Sequence, residues 1–332
     1  YYSCMLEKGD IVQINIEDSN KYLKEAANKG YTKAMHKYSI QNLNNTNDQA
    51  LKKECIILLK KASDKGDIAS IYQYGLMLAN GKGVKRNIEK ATKLIQIAAL
   101  SGNAEAMNEY GKMLYIGKNV TVDQEKAIEY FKMAIEKGNP EAMNNYGKIL
   151  CEVDKNDNEA IKYFKKAADL GNGSAMTNYA CCLELGKGTE IDKEEALKYY
   201  KMAIEKGDTN AMNRYAYMLR TGDIVKIDKE EAIKYYKIGI EKGDALSMSK
   251  YGFMLENGEG VPVDKEQALK FYKMSADNGC SEGMINYGML LKENGQYEES
   301  IKYLLMAIRQ GNSTAMYNLG SILENDGGDK NE

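Results

Sequence analysis

The chain has no tryptophan, two prolines, four phenylalanines and a single histidine. So few prolines leave long helices uninterrupted. One histidine leaves little material for an imidazole metal site or an acid–base pair. That residue, His36, follows Met35 and is expected on the exposed side of a helix, with no catalytic or metal role. A net charge of −2 gives no basic field of the kind that nucleic-acid binders carry. No apolar run approaches the roughly 18 residues of a membrane span. The six cysteines are irregular: Cys182 stands where Met113, Met218 and Met254 stand in other segments, and Cys55 where Ala127 and Ala196 do. That irregularity argues against a disulfide scaffold and for reduced thiols, so a cytoplasmic setting is expected. The Asn-x-Ser/Thr sequons at Asn44, Asn119, Asn172 and Asn312 would matter only in a secretory lumen.

Glycine is plentiful instead, at 30 residues, and its spacing is regular. Gly30, Gly66, Gly102 and Gly138 are 36 apart; Gly171, Gly207, Gly243, Gly279 and Gly311 continue the series with steps of 33, 36, 36, 36 and 32. Five residues after each glycine the same rhythm returns as Met35, Ile71, Met107, Met143, Met176, Met212, Met248, Met284 and Met316. Two registers held in phase mean a structural repeat. Such an array grows by stacking units on their neighbours, so 332 residues form one solenoid rather than two domains. The opening stretch Tyr2–Val12 aligns with Tyr215–Val225 and places the start inside a helix of an earlier repeat, as in a fragment of a longer protein.

The segment from Gly138 to Gly171 shows the unit. Asn139-Pro140-Glu141 supplies an N-cap acceptor, a first-turn proline and an acid at the positive end of the helix dipole. Ala142, Met143, Tyr146, Gly147 and Leu150 then form one apolar stripe of a first helix, A. Ala160, Ile161, Tyr163, Phe164, Ala167 and Ala168 do so for a second, B, which ends at Gly171 as a left-handed C′ glycine. A glycine inside helix A recurs as Gly75, Gly111, Gly147, Gly252, Gly288 and Gly320, with Ala180 and Ala216 as variants. Mid-helix glycine costs about 1 kcal/mol against alanine, which makes sense if helix B crosses too closely for a side chain. Asp192, Asp228 and Asp264, each with Glu or Gln three residues on, have the capping-box spacing. Gly81-Lys82-Gly83 and Gly186-Lys187-Gly188 lack the strand before and the Lys-Ser/Thr ending of a phosphate loop and are turns.

The run Leu255-Glu256-Asn257-Gly258-Glu259-Gly260-Val261-Pro262-Val263-Asp264, followed by Ala268, Phe271, Tyr272, Ser275, Ala276, Asp277 and Gly279, resembles the SEL-one-like repeat (SLR), a relative of the tetratricopeptide repeat. The 36-residue step and the Gly-x-Gly-Val turn separate it from a tetratricopeptide array, whose period is about 34. The units run 31–66, 67–102, 103–138, 139–171, 172–207, 208–243, 244–279, 280–311 and a partial 312–324, in one solenoid over 1–324 with a polar, frayed tail at 325–332. The resemblance implies an all-α fold: a right-handed superhelix of antiparallel helix pairs, about nine repeats, with helix A on the concave side. It also implies a non-catalytic protein- or peptide-binding adaptor. The alternative is a regulatory or targeting array of a larger enzyme, such as a protein kinase with its catalytic domain upstream.

No nucleophile–base pair or dinucleotide fingerprint accompanies the repeat, so neither catalysis nor a cofactor or metal is expected. The candidate contact surface lies on helix A. One residue after the small position the repeats read Ile40, Leu76, Lys112, Lys148, Cys181, Tyr217, Phe253, Met289 and Ser321. Cys181, Tyr217, Phe253 and Met289 thus form a run that either meets a partner or leans on the neighbouring helix A. Two residues after the phasing Met the row includes Asn145, Asn178, Arg214, Lys250, Asn286 and Asn318. Asparagine can donate to and accept from an extended backbone, and Arg214 and Lys250 can meet an acid. The expected partner is a protein or extended peptide with an apolar anchor and an acidic group.

Overall fold

The computed structural model describes residues 16–328, with side chains described over 18–324. Among the described residues there are 18 α-helices and no strand. They are α1 (Ile16–Asn28), α2 (Thr32–Asn45), α3 (Gln49–Asp64), α4 (Ile68–Asn80), α5 (Ile88–Leu100), α6 (Ala104–Ile116), α7 (Gln124–Glu136), α8 (Pro140–Glu152), α9 (Asp157–Asp169), α10 (Gly173–Leu185), α11 (Lys193–Glu205), α12 (Thr209–Thr221), α13 (Lys229–Glu241), α14 (Ala245–Asn257), α15 (Lys265–Asp277), α16 (Ser281–Glu293), α17 (Tyr297–Arg309) and α18 (Ser313–Gly328). Even numbers are the A helices and odd numbers the B helices. The chain divides after Lys155 into two compact units, α1–α8 and α9–α18. Within each unit every helix packs on the next in sequence, and in the second unit α10 also reaches α12, α14 reaches α16 and α16 reaches α18. The register of the opening stretch falls on residues outside the described range.

Local chemistry sets the helix ends. Asn139 Oδ1 accepts from Ala142 N at 2.8 Å, with Pro140 in the first turn of α8. Gly171, at φ +86°, closes α9, and Asn172 N reaches back to Ala167 O at 3.0 Å. The capping boxes are half formed. Glu195 N donates to Asp192 Oδ1 at 2.9 Å, but the Asp192 N–H goes to Leu183 O at 3.0 Å, in the preceding helix A. Asp228 to Leu219 O and Asp264 to Leu255 O repeat this, so the cap residue stitches B to A.

The small positions are where helices cross. A Cβ at Gly111 would lie 3.0 Å from the Phe131 ring and 3.2 Å from Ala127 O; at Gly252 it would lie 2.9 Å from Tyr272 and 3.3 Å from Ala268 O. Alanines 127, 196, 232 and 268 are fully buried opposite. Aromatic rings fill the flanks as edge-to-face pairs, Tyr110–Tyr130, Tyr179–Tyr199, Tyr215–Tyr235, Tyr251–Phe271 and Tyr287–Tyr303, with centroids 4.7–5.2 Å apart. Lys201, Lys237 and Lys273 each lay an ammonium over the tyrosine of the next helix A. Gly320 has nothing within 4 Å of its Cβ direction, and Met316 is 50% exposed. Both belong to α18, which has no following helix B among the described residues. The same helix continues to Gly328, beyond the boundary drawn at 324.

A buried polar ladder links successive A helices. It uses the residue just after the phasing Met, together with the N-cap of the next A helix. Thr177 Oγ1 donates to Asp208 Oδ1 at 2.9 Å, Asn213 Nδ2 to Asp244 Oδ2 at 2.8 Å, and Ser247 Oγ to Asn213 Oδ1 at 2.7 Å. His36 occupies this register. Its Nδ1 lies 3.2 Å from Ser70 Oγ and 4.0 Å from Asp67 Oδ2. It is therefore half-buried between two A helices, not on the exposed side, because the site after the phasing Met faces the neighbouring repeat.

Candidate functional site

Residues three apart share one face of a helix. Asn178 and Cys181 on α10, Arg214 and Tyr217 on α12, Lys250 and Phe253 on α14, and Asn286 and Met289 on α16 therefore line up as two parallel rows. Cys181, Phe253 and Met289 are half-buried, while Tyr217 is 40% exposed. The run is thus partly covered by its neighbours and open at Tyr217. A cavity of about 410 Å³ lies along it, with Asn178, Cys181, Asn213, Arg214, Tyr217 and Lys250 in its wall. A second, of about 400 Å³, is walled by Arg220, Lys250, Phe253, Asn286 and Asn312. Lys250 and Glu282 line both, so the two form one groove.

The groove is more polar than the rows suggested. Lys250 Nζ is 2.7 Å from Glu282 Oε1. Asn286 Nδ2 donates to Ser249 Oγ at 3.1 Å. In the first unit, Asn145 Nδ2 is similarly committed to Asn108 Oδ1 at 2.9 Å. Asn318, on α18, is half-buried. Arg214 sits beside Cys181, Glu184 and Tyr200; burial works against its charge, and those neighbours outweigh burial and raise its pKa.

A third row, three residues further along helix A, was not singled out in the sequence. It reads Glu184, Arg220 and Glu256. Behind it stand Tyr200, Tyr236 and Tyr272, fully buried tyrosines of α11, α13 and α15. Tyr200 donates to Glu184 Oε2 and Tyr272 to Glu256 Oε2, both at 2.6 Å. The Cys181 thiol is 3.0 Å from the Tyr200 oxygen. Burial, with the neighbouring acid added, raises the pKa of both hydroxyls far above the tyrosine range, so both act as donors. Between them the row carries Arg220, which cannot accept, and the buried Tyr236 hydroxyl has no hydrogen-bond partner. Arg220 instead lies 5.3 Å from the Tyr217 ring centroid and 5.2 Å from that of Phe253, with Nη1 3.2 Å from both oxygens of Glu259. The centre of the run is therefore an aromatic–guanidinium–aromatic stack. Only the 36-residue alignment of Arg220 with two glutamates could have flagged it.

No group of three or more His, Cys, Asp or Glu suited to a metal occurs among the described residues. No helix among them is long and apolar enough to cross a membrane.

The sequence matches the Sel1 repeat pattern over residues 1–31, 51–67, 68–103, 104–139, 140–172, 173–208, 209–244, 245–280, 281–312 and 313–332. That is ten segments where the glycine spacing gave about nine, and 32–50 falls outside them. Among solved structures, the chain is similar to c5321, described as a protective antigen present in uropathogenic Escherichia coli strains displaying an SLR fold. The identity is 24% over 97% of this chain and 70% of that one, with a TM-score of 0.57. A Sel1 repeat protein from Oxalobacter formigenes is 24% identical over 91% of this chain and 89% of that one, with a TM-score of 0.54. At these identities the two show a shared fold. No curated protein matches the chain. With the helix pairs, the crossing glycines and the repeat pattern in agreement over most of its length, the chain belongs to the Sel1 repeat family.

Proposed function

We propose that the groove of α10–α18 holds an extended segment of a partner protein that presents an apolar anchor beside an acidic group. Sel1 repeat solenoids are common protein-interaction scaffolds and generally non-catalytic, which supports the class of activity. The observation that carries the reading is Tyr217. It is a large aromatic side chain left 40% exposed on an otherwise packed A-helix row, at the wall of a cavity that also holds Arg214 and Lys250. Interface cores favour such residues. An incoming carboxylate would meet Arg214 directly and compete with Glu282 for Lys250. A cytoplasmic setting is part of the proposal, since Cys181 lines the groove as a thiol.

The test is selection of binders from a random peptide library, followed by affinity measurements over a range of salt concentrations. The selected peptides are expected to pair an acid with an apolar residue. The double variant Arg214→Gln/Lys250→Gln should bind them more weakly and with a shallower salt dependence. An unchanged salt slope would contradict the electrostatic part of the reading.

A further inference from the structure

The unit that ends at Lys155 contains a cavity of about 490 Å³ between α2, α3, α4 and the turn after α4. Its floor is apolar: Ile40, Leu43, Ile56, Leu76 and Met77. Its rim is cationic: Lys52, Lys53 and Lys82, with the amides of Gln49 and Gln73 beside them. No acid lines it, and none of the three lysines makes an ion pair among the described residues. The groove of the other unit differs in this respect, because Glu282 there answers Lys250.

The same place one repeat later tests whether this space is ordinary for the fold. Leu76, Ala79, Thr92, Glu109, Met113 and Lys118, each 36 residues on, line a cavity of only about 70 Å³. Two departures from the repeat accompany the larger space. The link from α2 to α3 is only Thr46–Asp48, where α4 and α5 are joined by Gly81–Asn87. The second departure is at α3, which has 16 residues where α5 has 13. Elsewhere the second turn glycine settles on the preceding B helix. A Cβ at Gly188 would meet the Asp157 carbonyl, and at Gly260 it would lie 2.8 Å from Lys229 Cβ and 3.4 Å from the Lys229 carbonyl carbon. At Gly83 it would meet only the ends of Ile56 and Met77. The turn therefore stands off the backbone of α3, and the floor stays open. Residues 40, 43, 44 and 49 of the lining belong to the segment that departs from the family pattern.

A cavity of this volume, apolar below and with a few polar groups at its rim, has the make-up of a small-molecule site. We propose that it binds a free aliphatic carboxylate, with the hydrocarbon chain on the Ile40–Leu43–Ile56–Leu76 floor and the carboxylate at Lys52, Lys53 and Lys82. Charge complementarity selects the headgroup: three unanswered ammonium groups favour an anion and disfavour an amine or a neutral alcohol.

The experiment is calorimetric titration of the whole chain with decanoate and, separately, decanol. Decanoate is expected to saturate one site and to bind at least about tenfold more tightly than decanol. In Lys52→Gln/Lys53→Gln/Lys82→Gln that preference should vanish while decanol binding persists. Leu43→Trp should fill the floor and remove both; circular dichroism checks its fold, and the lysine variant decides the matter if it does not fold. Equal affinity for acid and alcohol, absence of saturable decanoate binding, or a preference that survives the lysine changes would overturn the proposal. All of these residues lie outside the groove of α10–α18. Tyr217→Ala/Phe253→Ala should leave decanoate binding intact, so the two sites can fail separately.

Discussion

Exchanging Gly252 for alanine adds one methyl group to the interior of α14, and two effects compete. Helix propensity favours alanine by about 1 kcal/mol. Against it, the new Cβ would lie 2.9 Å from the Tyr272 ring and 3.3 Å from the carbonyl of Ala268. Tyr272 cannot swing aside, because it is fully buried and its hydroxyl is held 2.6 Å from Glu256. The carbonyl is helix backbone, so relief requires α14 and α15 to separate. Overpacking of this kind costs about 1–3 kcal/mol, so Gly252→Ala should be destabilising by up to about 2 kcal/mol. Gly320→Ala is the internal control, since nothing lies within 4 Å of that Cβ. It should gain up to about 1 kcal/mol. Because a repeat array does not unfold as one cooperative block, hydrogen exchange resolved by helix is the appropriate assay. Amides of α14 and α15 should lose protection in the first variant, and those of α18 should gain it in the second. Stabilisation of α14 by Gly252→Ala would refute the close-crossing argument.

Three further predictions follow from single contacts. Tyr272→Phe removes a hydrogen bond to a carboxylate and should cost about 1.5–3 kcal/mol, whereas Tyr236→Phe removes a hydroxyl that has no partner and should be neutral or stabilising; equal losses of amide protection in α15 and α13 would contradict the assignment. Burial lowers the pKa of His36, with Asp67 opposing only in part, so the unfolded chain takes up the proton first. The stability present above the unfolded value of about 6.5 is then lost as pH falls through it towards the folded value, and the wild type should lose more stability than His36→Gln between about pH 7.5 and 5.5; a flat difference would count against it. Burial pushes the Cys55 thiol up to about 11. Iodoacetamide at about pH 8 should therefore spare Cys55 in the folded protein and label it in urea, as mass spectrometry of the peptides would show.

The helix pairs were legible in the sequence because two physical demands recur with the period. A left-handed C′ position such as Gly171 favours glycine, and a close crossing such as Gly111 favours glycine or alanine, each without reference to any other repeat. The caps were legible for the same reason, since Asn139 and Asp192 act within three residues. What escaped notice depends on which repeats touch. The residue after the phasing Met varies as His36, Asn108, Thr177 and Asn213, and polar identity suggests solvent. Yet the N-cap of the next A helix supplies a half-buried partner there. Arg220 reads as an exposed helix-end cation, and its place between Tyr217 and Phe253 follows from the distance between α12 and α14, which no spacing encodes. The cavity beside α3 lies where the 36-residue period holds but the link between helices shortens to Thr46–Asp48, a change that glycine spacing does not register.

The most direct test of the account is the affinity of one selected peptide for the wild type and for Tyr217→Ala/Phe253→Ala, with helicity checked in both. Truncating two interface anchors should weaken binding by at least about tenfold while the helices stay intact. Equal affinity in two equally folded proteins would show that the stack at Tyr217, Arg220 and Phe253 is structural and that partners bind elsewhere.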